Sequence, residues 1–160
     1  MCASSATAAT VTLQANLDGL QMVPPNASPA FGLADATLND VTGAFSITLG
    51  SYQDLLGGSF NVFLNDAAVG SNGPLIMTLT NDTPGATTGT FSGGGTLTLA
   101  QITDMTAGNT YLRVTSQVFP SGEIRGQLFT VPEPATVVLL GLGALGVLAA
   151  ARIGQRKRLA

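Results

Sequence analysis

Three separate segments of the chain alternate apolar and polar side chains with a period of two. Their apolar positions are Val11, Leu13, Ala15 and Leu17 in TVTLQANL, Phe45, Ile47 and Leu49 in AFSITL, and Leu75, Met77 and Leu79 in PLIMTLT. Successive side chains of a β-strand point to opposite faces of a sheet, so this alternation is typical of strands with one buried face. The segments are also rich in Thr, Val and Ile, which favour strands. The chain is therefore predicted to fold mainly as β-structure.

Further strand-like runs raise the predicted number of strands to about eight or nine. These runs lie near residues 32–39, 59–65, 94–99, 110–118 and 123–129. Clusters of Gly, Pro, Asn and Asp separate them at the spacing expected of a Greek-key β-sandwich or barrel. The stretches YQDLL and AQITDM are predicted to hold one helical turn each. We predict one all-β domain over residues 9–130.

The composition of this domain limits the chemistry that it can perform. Up to Val131, eight acidic residues accompany only two arginines, Arg113 and Arg125, so no basic stripe exists for nucleic acid. The chain has no histidine and one cysteine, which excludes imidazole catalysis, histidine-ligated metals and an internal disulfide. A pair of carboxylates suited to glycoside hydrolysis stays open, but no Trp stands beside the acids to bind sugar. We predict no catalytic residue, no metal and no cofactor.

The last thirty residues differ sharply from the rest. Pro132-Glu133-Pro134 precedes an uncharged run over 135–151, and the tail 152–160 carries Arg152, Arg156, Lys157 and Arg158. A helix over the uncharged run would rise about 25 Å, close to the roughly 30 Å of a hydrocarbon layer. Basic flanks stay on the cytoplasmic side. We predict one transmembrane helix with a cytoplasmic carboxyl terminus, preceded by a stiff proline spacer.

This order of segments resembles the PEP-CTERM protein-sorting signal of Gram-negative bacteria. The resemblance covers residues 131–160, with 131–134 (VPEP) as motif and spacer. It implies processing by an exosortase, a membrane transpeptidase, with Pro132, Glu133 and Pro134 as the recognised motif. The body would be secreted to the cell surface or an extracellular matrix, where a polysaccharide or a protein is the expected partner.

The amino end carries a weaker export signal. Ala6-Thr7-Ala8 fits the small-x-small pattern that closes a signal peptide, although residues 1–8 contain no long apolar stretch. We interpret 1–8 as the remnant of a signal whose start lies upstream, with maturation near Ala9. The alternative, Cys2 as a lipidation site, lacks the residues that normally precede such a cysteine.

The body resembles the CHRD (chordin-type) domain family over about residues 10–129. The matching stretches are LQMVPP at 20–25 with AFGLA at 30–34, GSNGP at 70–74, AGNTY at 107–111 and PSGEIRGQL at 120–128. They include Asn72, Gly73 and Pro74 of a central turn, and Gly122, Glu123, Ile124, Arg125 and Gly126 of the last strand. The resemblance implies an extracellular β-rich interaction module without known catalysis. The family usually has histidines where this chain has Phe63, Asn65 and Thr115, so a function of those histidines cannot be carried over.

Glu123 and Arg125 are two residues apart on a predicted strand and therefore share one face. We favour a structural role for them, as a ladder of polar contacts or an ion pair to a neighbour such as Asp18, over contact with a ligand. Three connections, 39–43, 65–70 and 81–85, begin with Asn-Asp and end with Gly, which is typical of turn tips. Calcium binding by these oxygen-rich turns is the alternative.

Two functional hypotheses remain. The first is an exported, non-enzymatic surface or matrix protein that carries an interaction module and is sorted by an exosortase. The alternative is a ligand-binding module for sugar, calcium or protein on a permanent single-pass membrane anchor.

Overall fold

The computed structural model describes residues 9–132, which form nine β-strands and one α-helix. The strands are β1 (Thr10–Asp18), β2 (Phe31–Asn39), β3 (Ala44–Gln53), β4 (Ser59–Asp66), β5 (Leu75–Asn81), β6 (Gly89–Thr96), β7 (Thr110–Ser116), β8 (Ile124–Gln127) and β9 (Phe129–Thr130), and helix α1 is Leu99–Thr106. The all-β prediction is confirmed. The predicted signal remnant 1–8, Glu133 and Pro134, the helix 135–151 and the tail 152–160 lie outside the described residues.

Eight of the strands close into an antiparallel barrel. The order is β2-β3-β6-β5-β4-β7-β8-β1, and β1 pairs back with β2 along its whole length. Strand β9 adds a short pairing with β1 outside this ring. Strands β4, β5 and β6 form a meander, and β6 returns to lie beside β3, which is a Greek key. Of the two predicted architectures the barrel is correct, and closure leaves its eight strands without a free edge.

The barrel interior is filled by the alternating side chains. Leu13, Ala15 and Leu17 of β1 are all buried, as the period-two pattern predicts. Helix α1 adds Ile102 and Met105 to the same core cluster. Burying an aliphatic side chain of this size contributes about 1.5–3 kcal/mol, so this core is the main stabilising element of the fold. Within residues 9–132 no helix is long and apolar enough to cross a membrane.

The predicted alternation is wrong at two positions. Leu49 and Leu75 were expected in the core but are 52% and 53% exposed. In β3 the pairing with β2 passes over Thr48, which is a β-bulge. One extra residue turns every later side chain to the opposite face, so Gly50 and Tyr52 are buried in place of Leu49. Leu75 is the first residue of β5, beside a similar shift in the pairing with β4.

The predicted helical turns and one strand boundary also need correction. Around AQITDM, α1 has eight residues rather than one turn, because Thr98 and Gln101 form a capping box. YQDLL holds no helix, since it ends β3 and leads into the connection to β4. The strand expected near 94–99 lies at Gly89–Thr96. A Cβ on Gly94 would lie 2.1 Å from the carbonyl oxygen of Phe45, so glycine is what allows β6 to approach β3.

Candidate functional site

Four stretches that are distant in sequence meet on the outer wall of the barrel at β4, β7 and β8. They are residues 20–25, 70–74, 107–111 and 120–128, and we call them together the motif cluster. Asn72 Nδ2 donates to the carbonyl oxygen of Val23 at 2.8 Å, and the amide of Gly73 donates to the Tyr111 hydroxyl at 3.4 Å. The last stretch joins through the pairing of β7 with β8. All four stretches are therefore connected by hydrogen bonds.

Glu123 fastens three segments to one another. It is fully buried, and its Oε1 accepts from Ser28 Oγ at 2.6 Å and from the amide of Leu56 at 2.7 Å. Its Oε2 accepts from Ser116 Oγ at the end of β7. Asn26 Nδ2 donates to its carbonyl oxygen at 2.9 Å. The carboxylate thus ties the loop after β1 and the connection between β3 and β4 to the barrel wall.

Arg125 fastens the loop between β4 and β5. It is 1% exposed, and its Nη1 donates to the carbonyl oxygen of Ser71 at 2.7 Å. Its Nη2 donates to the carbonyl oxygen of Ala68 and to Gln127 Oε1, both at 3.2 Å. The guanidinium carbon lies 3.5 Å from the centroid of the Tyr111 ring. Carbonyl dipoles and an aromatic face therefore balance the buried charge, and no carboxylate of residues 9–132 pairs with it.

The hypothesised ion pair between Arg125 and Asp18 is wrong. The two residues are backbone neighbours across β8 and β1. The Asp18 carboxylate, however, accepts from the backbone amide and from Nε2 of Gln21, both at 2.9 Å. Burial lowers the pKa of Arg125, and Arg113 adds to this effect while Tyr111 opposes it. The side chains of Glu123 and Arg125 share a face, but each serves a different loop.

Gln127 of β8 continues the row that begins with Glu123, just before β8, and Arg125. Its Nε2 donates to the carbonyl oxygens of Ala67 at 2.8 Å and Gly108 at 2.7 Å. Its backbone amide donates to Gln21 Oε1 at 3.4 Å. Residues 123, 125 and 127 therefore hold every loop of the motif cluster against β8.

The 20–25 loop, which contains a cis peptide bond between Val23 and Pro24, separates two clefts. On one side a cleft of about 480 Å³ is lined by residues that include Met22, Pro25, Asn72, Arg113 and Phe119. On the other side a cleft of about 370 Å³ is lined by Leu20, Val69, Gly70, Arg125 and Gln127, among others. We name them the Arg113 cleft and the Arg125 cleft. Each contains one of the two cations of the described residues.

Arg113 is held rigidly in its cleft. Its guanidinium carbon lies 5.0 Å from the centroid of the Phe63 ring, and its Nη1 donates to the carbonyl oxygen of Ser121. Gly122 has φ of 136°, and a Cβ there would lie 2.5 Å from Met22 Cε and 2.8 Å from Arg113 Cδ. Glycine is therefore required for the close approach of this arginine. Arg113 Nε is buried without a hydrogen-bond partner within residues 9–132.

The three positions that lack the family's histidines lie on β4 and β7 beside this cluster. Phe63 packs under the Arg113 guanidinium. Asn65 is buried, donates from Nδ2 to the carbonyl oxygen of Gly73 at 3.2 Å, and leaves Oδ1 unpaired within the described chain. Thr115 Oγ1 bonds both backbone groups of Asn61, at 3.0 and 3.1 Å. Across residues 9–132, no three His, Cys, Asp or Glu side chains are grouped to hold a metal.

Asp66 is the last residue of β4, next to Asn65. Burial raises the pKa of the Asp66 carboxyl, and the nearby Asp104 of α1 raises it further. The backbone amide of Asp66 donates to the carbonyl oxygen of Pro74 at 2.9 Å, which closes the turn 65–74. The Asn-Asp start of this connection thus begins a hydrogen-bonded turn beside the motif cluster.

The chain leaves the barrel at the predicted sorting motif. The amide of Val131 donates to the carbonyl oxygen of Thr12 at 2.8 Å, and Pro132 is exposed. Backbone pairing with the barrel therefore reaches the residue immediately before Pro132.

The fold and the cluster define a class: a Greek-key β-barrel domain whose loops are fastened to one wall by buried polar side chains. The family model of the CHRD domain matches residues 13–128, and the chain belongs to the CHRD domain family. The PEP-CTERM protein-sorting motif matches residues 130–157, which implies an exported protein that an exosortase processes. Both predicted resemblances are confirmed. No curated protein and no solved structure matches the chain.

Sequence reasoning missed several residues on which the cluster depends. Ser28 and Ser116 hold the Glu123 carboxylate, and Leu56 does so through its backbone amide. A backbone donor leaves no trace in the sequence, and serines in loops are common. Tyr52 was also missed: its hydroxyl contacts Ser59 Oγ at 2.7 Å and belongs to a second buried polar network. The bulge that buries it has no sequence signature.

Proposed function

We propose that the protein is a non-enzymatic component of the cell surface or extracellular matrix, and that its CHRD domain is an interaction module. The observation that carries this proposal is the state of Glu123, the acid of the most specific family motif. A general acid or base must reach its substrate. Glu123 is 0% exposed and accepts from three internal donors, so its role is to fix loops.

The loop after β1, which Glu123 fixes, and the loop between β4 and β5, which Arg125 fixes, line the two clefts. Because buried charged side chains hold these loops in place, the surface that they form exists before binding, which lowers the entropic cost of binding. Functional contacts of rigid β-scaffolds are commonly made by such loops. This favours binding over catalysis as the work of the domain.

The sorting segment supports the proposed location. Pro132 is exposed directly after the last residue that pairs with the barrel. A membrane enzyme could therefore reach the motif without unfolding the domain. The proposal includes a single-pass precursor with a cytoplasmic basic tail, from which exosortase delivers the domain outside.

Matched variants test the sorting half of the proposal. Glu133→Gln removes the carboxylate of the sorting motif, and Asp54→Asn removes an exposed carboxylate of the domain as a control. Both are produced in a bacterium with an exosortase and in the same strain without it. Surface and membrane fractions are then compared by immunoblot and intact mass.

We expect the parent and the Asp54→Asn protein to reach the surface only when the exosortase is present. The Glu133→Gln protein should stay in the membrane fraction at full length. Equal surface delivery of all three proteins in both strains would refute exosortase sorting.

The alternative, a ligand-binding module on a permanent anchor, shares the two clefts with this proposal. It differs in the fate of the tail. With a permanent anchor, the protein in the membrane fraction would have the same intact mass in strains with and without exosortase. The same fractions therefore separate the two functions.

A further inference from the structure

A very short connection joins the barrel to the predicted membrane helix. Only residues 133 and 134 separate Pro132 from the apolar run that begins at residue 135. An extended chain covers at most about 3.6 Å per residue, so Pro132 lies within about 11 Å of that run. The polar layer of one bilayer leaflet is about 5–8 Å deep. In a single-pass precursor, the end of the barrel next to Pro132 is therefore held at the lipid headgroups.

The direction in which the chain leaves the barrel identifies this end. Strand β9 runs antiparallel to β1, with Thr130 opposite Leu13, and the amide of Val131 then donates to the carbonyl oxygen of Thr12. The chain therefore moves toward Thr10, the first residue of β1, as it approaches Pro132. Thr10 pairs with Asn39, so the turn 40–43 between β2 and β3 lies at the same end.

Helix α1 closes this end of the barrel. The amide of Leu97, just before α1, donates to the carbonyl oxygen of Gly43 at 2.8 Å. Just after α1, a Cβ on Gly108 would lie 3.1 Å from Cδ1 of Phe129, so the ring of Phe129 packs at the far end of the helix. Helix α1 thus extends from the turn 40–43 to β9. We call the turn 40–43, α1 and Phe129 together the lower rim.

The surface of the lower rim is apolar and almost free of charge. Leu99 is 78% exposed, and Val41 and Phe129 are each 54% exposed. The exposed residues of α1 are Leu99, Ala100, Thr103 and Thr106. A surface helix normally carries charged residues on its outer face, and here that face has none. Such a face is suited to the boundary between lipid headgroups and acyl chains, where apolar side chains insert by about 5–10 Å.

The charges of the lower rim do not attract anionic lipids. It contains two acids, Asp40 and Asp104, which are both half-buried, and no cation. Asp40 Oδ1 already accepts a hydrogen bond from the amide of Ala9 at 3.0 Å. The two arginines of residues 9–132 lie on β7 and β8. A contact between this rim and a membrane therefore depends on apolar insertion, and it does not require anionic lipid.

We propose that the lower rim rests on the non-cytoplasmic face of the bilayer in the anchored precursor, with Val41 and Leu99 inserted among the lipid headgroups. The inference rests on the proposed single-pass precursor and adds a lipid contact that fixes the orientation of the domain. This contact keeps Pro132 at the membrane surface, within reach of a membrane transpeptidase. The opposite end of the barrel, which carries Leu20, then points away from the cell.

A single introduced Trp tests the contact, because the chain has no Trp of its own. Leu99→Trp places this reporter on the lower rim, and Leu20→Trp is the matched control, since the two leucines are 78% and 77% exposed. Leu20 follows β1 at the opposite end, and the nine residues of this tilted strand rise by about 20 Å. The full 160-residue chain is reconstituted in phosphatidylcholine vesicles, with or without lipid that carries a nitroxide quencher near the headgroup.

We expect the quencher to lower the emission of Leu99→Trp by at least about twofold, because a rim residue lies at the depth of the nitroxide. The emission of Leu20→Trp should stay nearly unchanged. Both substitutions replace highly exposed side chains, so neither disturbs the core. Far-ultraviolet circular dichroism verifies that both proteins are folded.

A second pair of variants tests the rim without changing the reporter. Val41→Asp and Val118→Asp are each introduced into the Leu99→Trp protein, since the two valines are 54% and 53% exposed. Val118 follows β7 at the end of the barrel away from the lower rim. Val41→Asp should reduce the quenching by about twofold or more, because it brings a charge to an apolar contact. Val118→Asp should leave the quenching unchanged.

Flotation of the same vesicles shows whether the chain is anchored. If the chain floats but Leu99→Trp is quenched no more than Leu20→Trp, the rim does not touch lipid, and the proposal is overturned while the anchored precursor stands. Equal effects of Val41→Asp and Val118→Asp would overturn it as well. A chain that does not float would refute both the anchor and the contact. Because the vesicles contain no exosortase, quenching in them reports contact with lipid and not with that enzyme.

Discussion

Replacing Glu123 with alanine removes the acceptor of three donors in one buried site. Within residues 9–132 the amide of Leu56 donates to Glu123 alone, and Ser28 and Ser116 lose charged partners. A charged hydrogen bond contributes about 1.5–3 kcal/mol, and an orphaned buried donor costs about 1–3 kcal/mol. These terms overlap, because the serine hydroxyls can turn to other acceptors. We therefore expect Glu123→Ala to lower the free energy of unfolding by about 3–5 kcal/mol.

Glu123→Gln separates charge from shape at the same site. Its amide oxygen can keep the bonds from Ser28 and Leu56, while its NH₂ group replaces the acceptor that faces Ser116. Because Ser116 Oγ can accept as well as donate, we expect a smaller loss of about 1–2 kcal/mol. The geometry therefore predicts that the free energy of unfolding decreases from the parent to Glu123→Gln and decreases further to Glu123→Ala.

The assay is urea unfolding followed by far-ultraviolet circular dichroism, since the chain has no Trp for fluorescence. Asp54→Asn, an exposed carboxylate, is the control and should change the free energy of unfolding by no more than about 0.5 kcal/mol. The slope against urea should stay constant, which shows that only stability changes. A Glu123→Ala protein as stable as the control would refute the role of Glu123 as a fastening residue.

Three further substitutions probe the rest of the domain by the same unfolding assay. Burial and Asp104 raise the pKa of Asp66 above its ordinary value of 3.8. The protonated carboxyl therefore stabilises the folded protein fully below about pH 3.8, and this stability is lost as the pH rises through the raised pKa. Asp66→Asn should therefore stabilise the protein at about pH 7 and give no gain at about pH 3; a loss at neutral pH would contradict this. Arg125→Lys keeps the charge but loses the planar fork and the stack on Tyr111, which should cost about 2–3 kcal/mol, and an unchanged midpoint would show that charge alone suffices. Tyr52→Phe removes one buried hydroxyl and should cost about 1–2 kcal/mol, whereas a stabilised variant would exclude its network as a source of stability.

The sequence predicts the strands well because alternation reports directly which face is buried. Leu13, Ala15 and Leu17 are inward as the pattern indicates. It fails at Leu49 because a bulge shifts the period by one residue, and Thr48 carries no signature of a bulge. The length of α1 could have been predicted, since Thr98 and Gln101 have the spacing of a capping box. The choice between sandwich and barrel could not, because it depends on β1 pairing with β2 and β8 at the same time.

The candidate site likewise combines features that the sequence predicts with features that it does not. The family motifs are visible in the sequence, but their meeting on one wall depends on loop contacts such as Asn72 to Val23, across 49 residues. Sequence analysis assigned no role to Arg113. The unpartnered buried Nε and the position of this residue in a cleft both result from packing, which sequence patterns do not show. For Arg125 the sequence suggests either a ladder of polar contacts or an ion pair, and its bond to Gln127 is such a polar contact. In place of the ion pair the structure uses backbone carbonyls, and these are invisible to sequence patterns.

The central claim is that this CHRD domain is delivered outside the cell by a sorting segment that is then removed. The most direct test is the intact mass of the native protein, measured separately in surface and membrane fractions. The account predicts a surface species that begins near Ala9 and ends close to Pro134. A surface species that keeps residues 135–160, with no shorter form in any fraction, would contradict it and identify the segment as a permanent anchor.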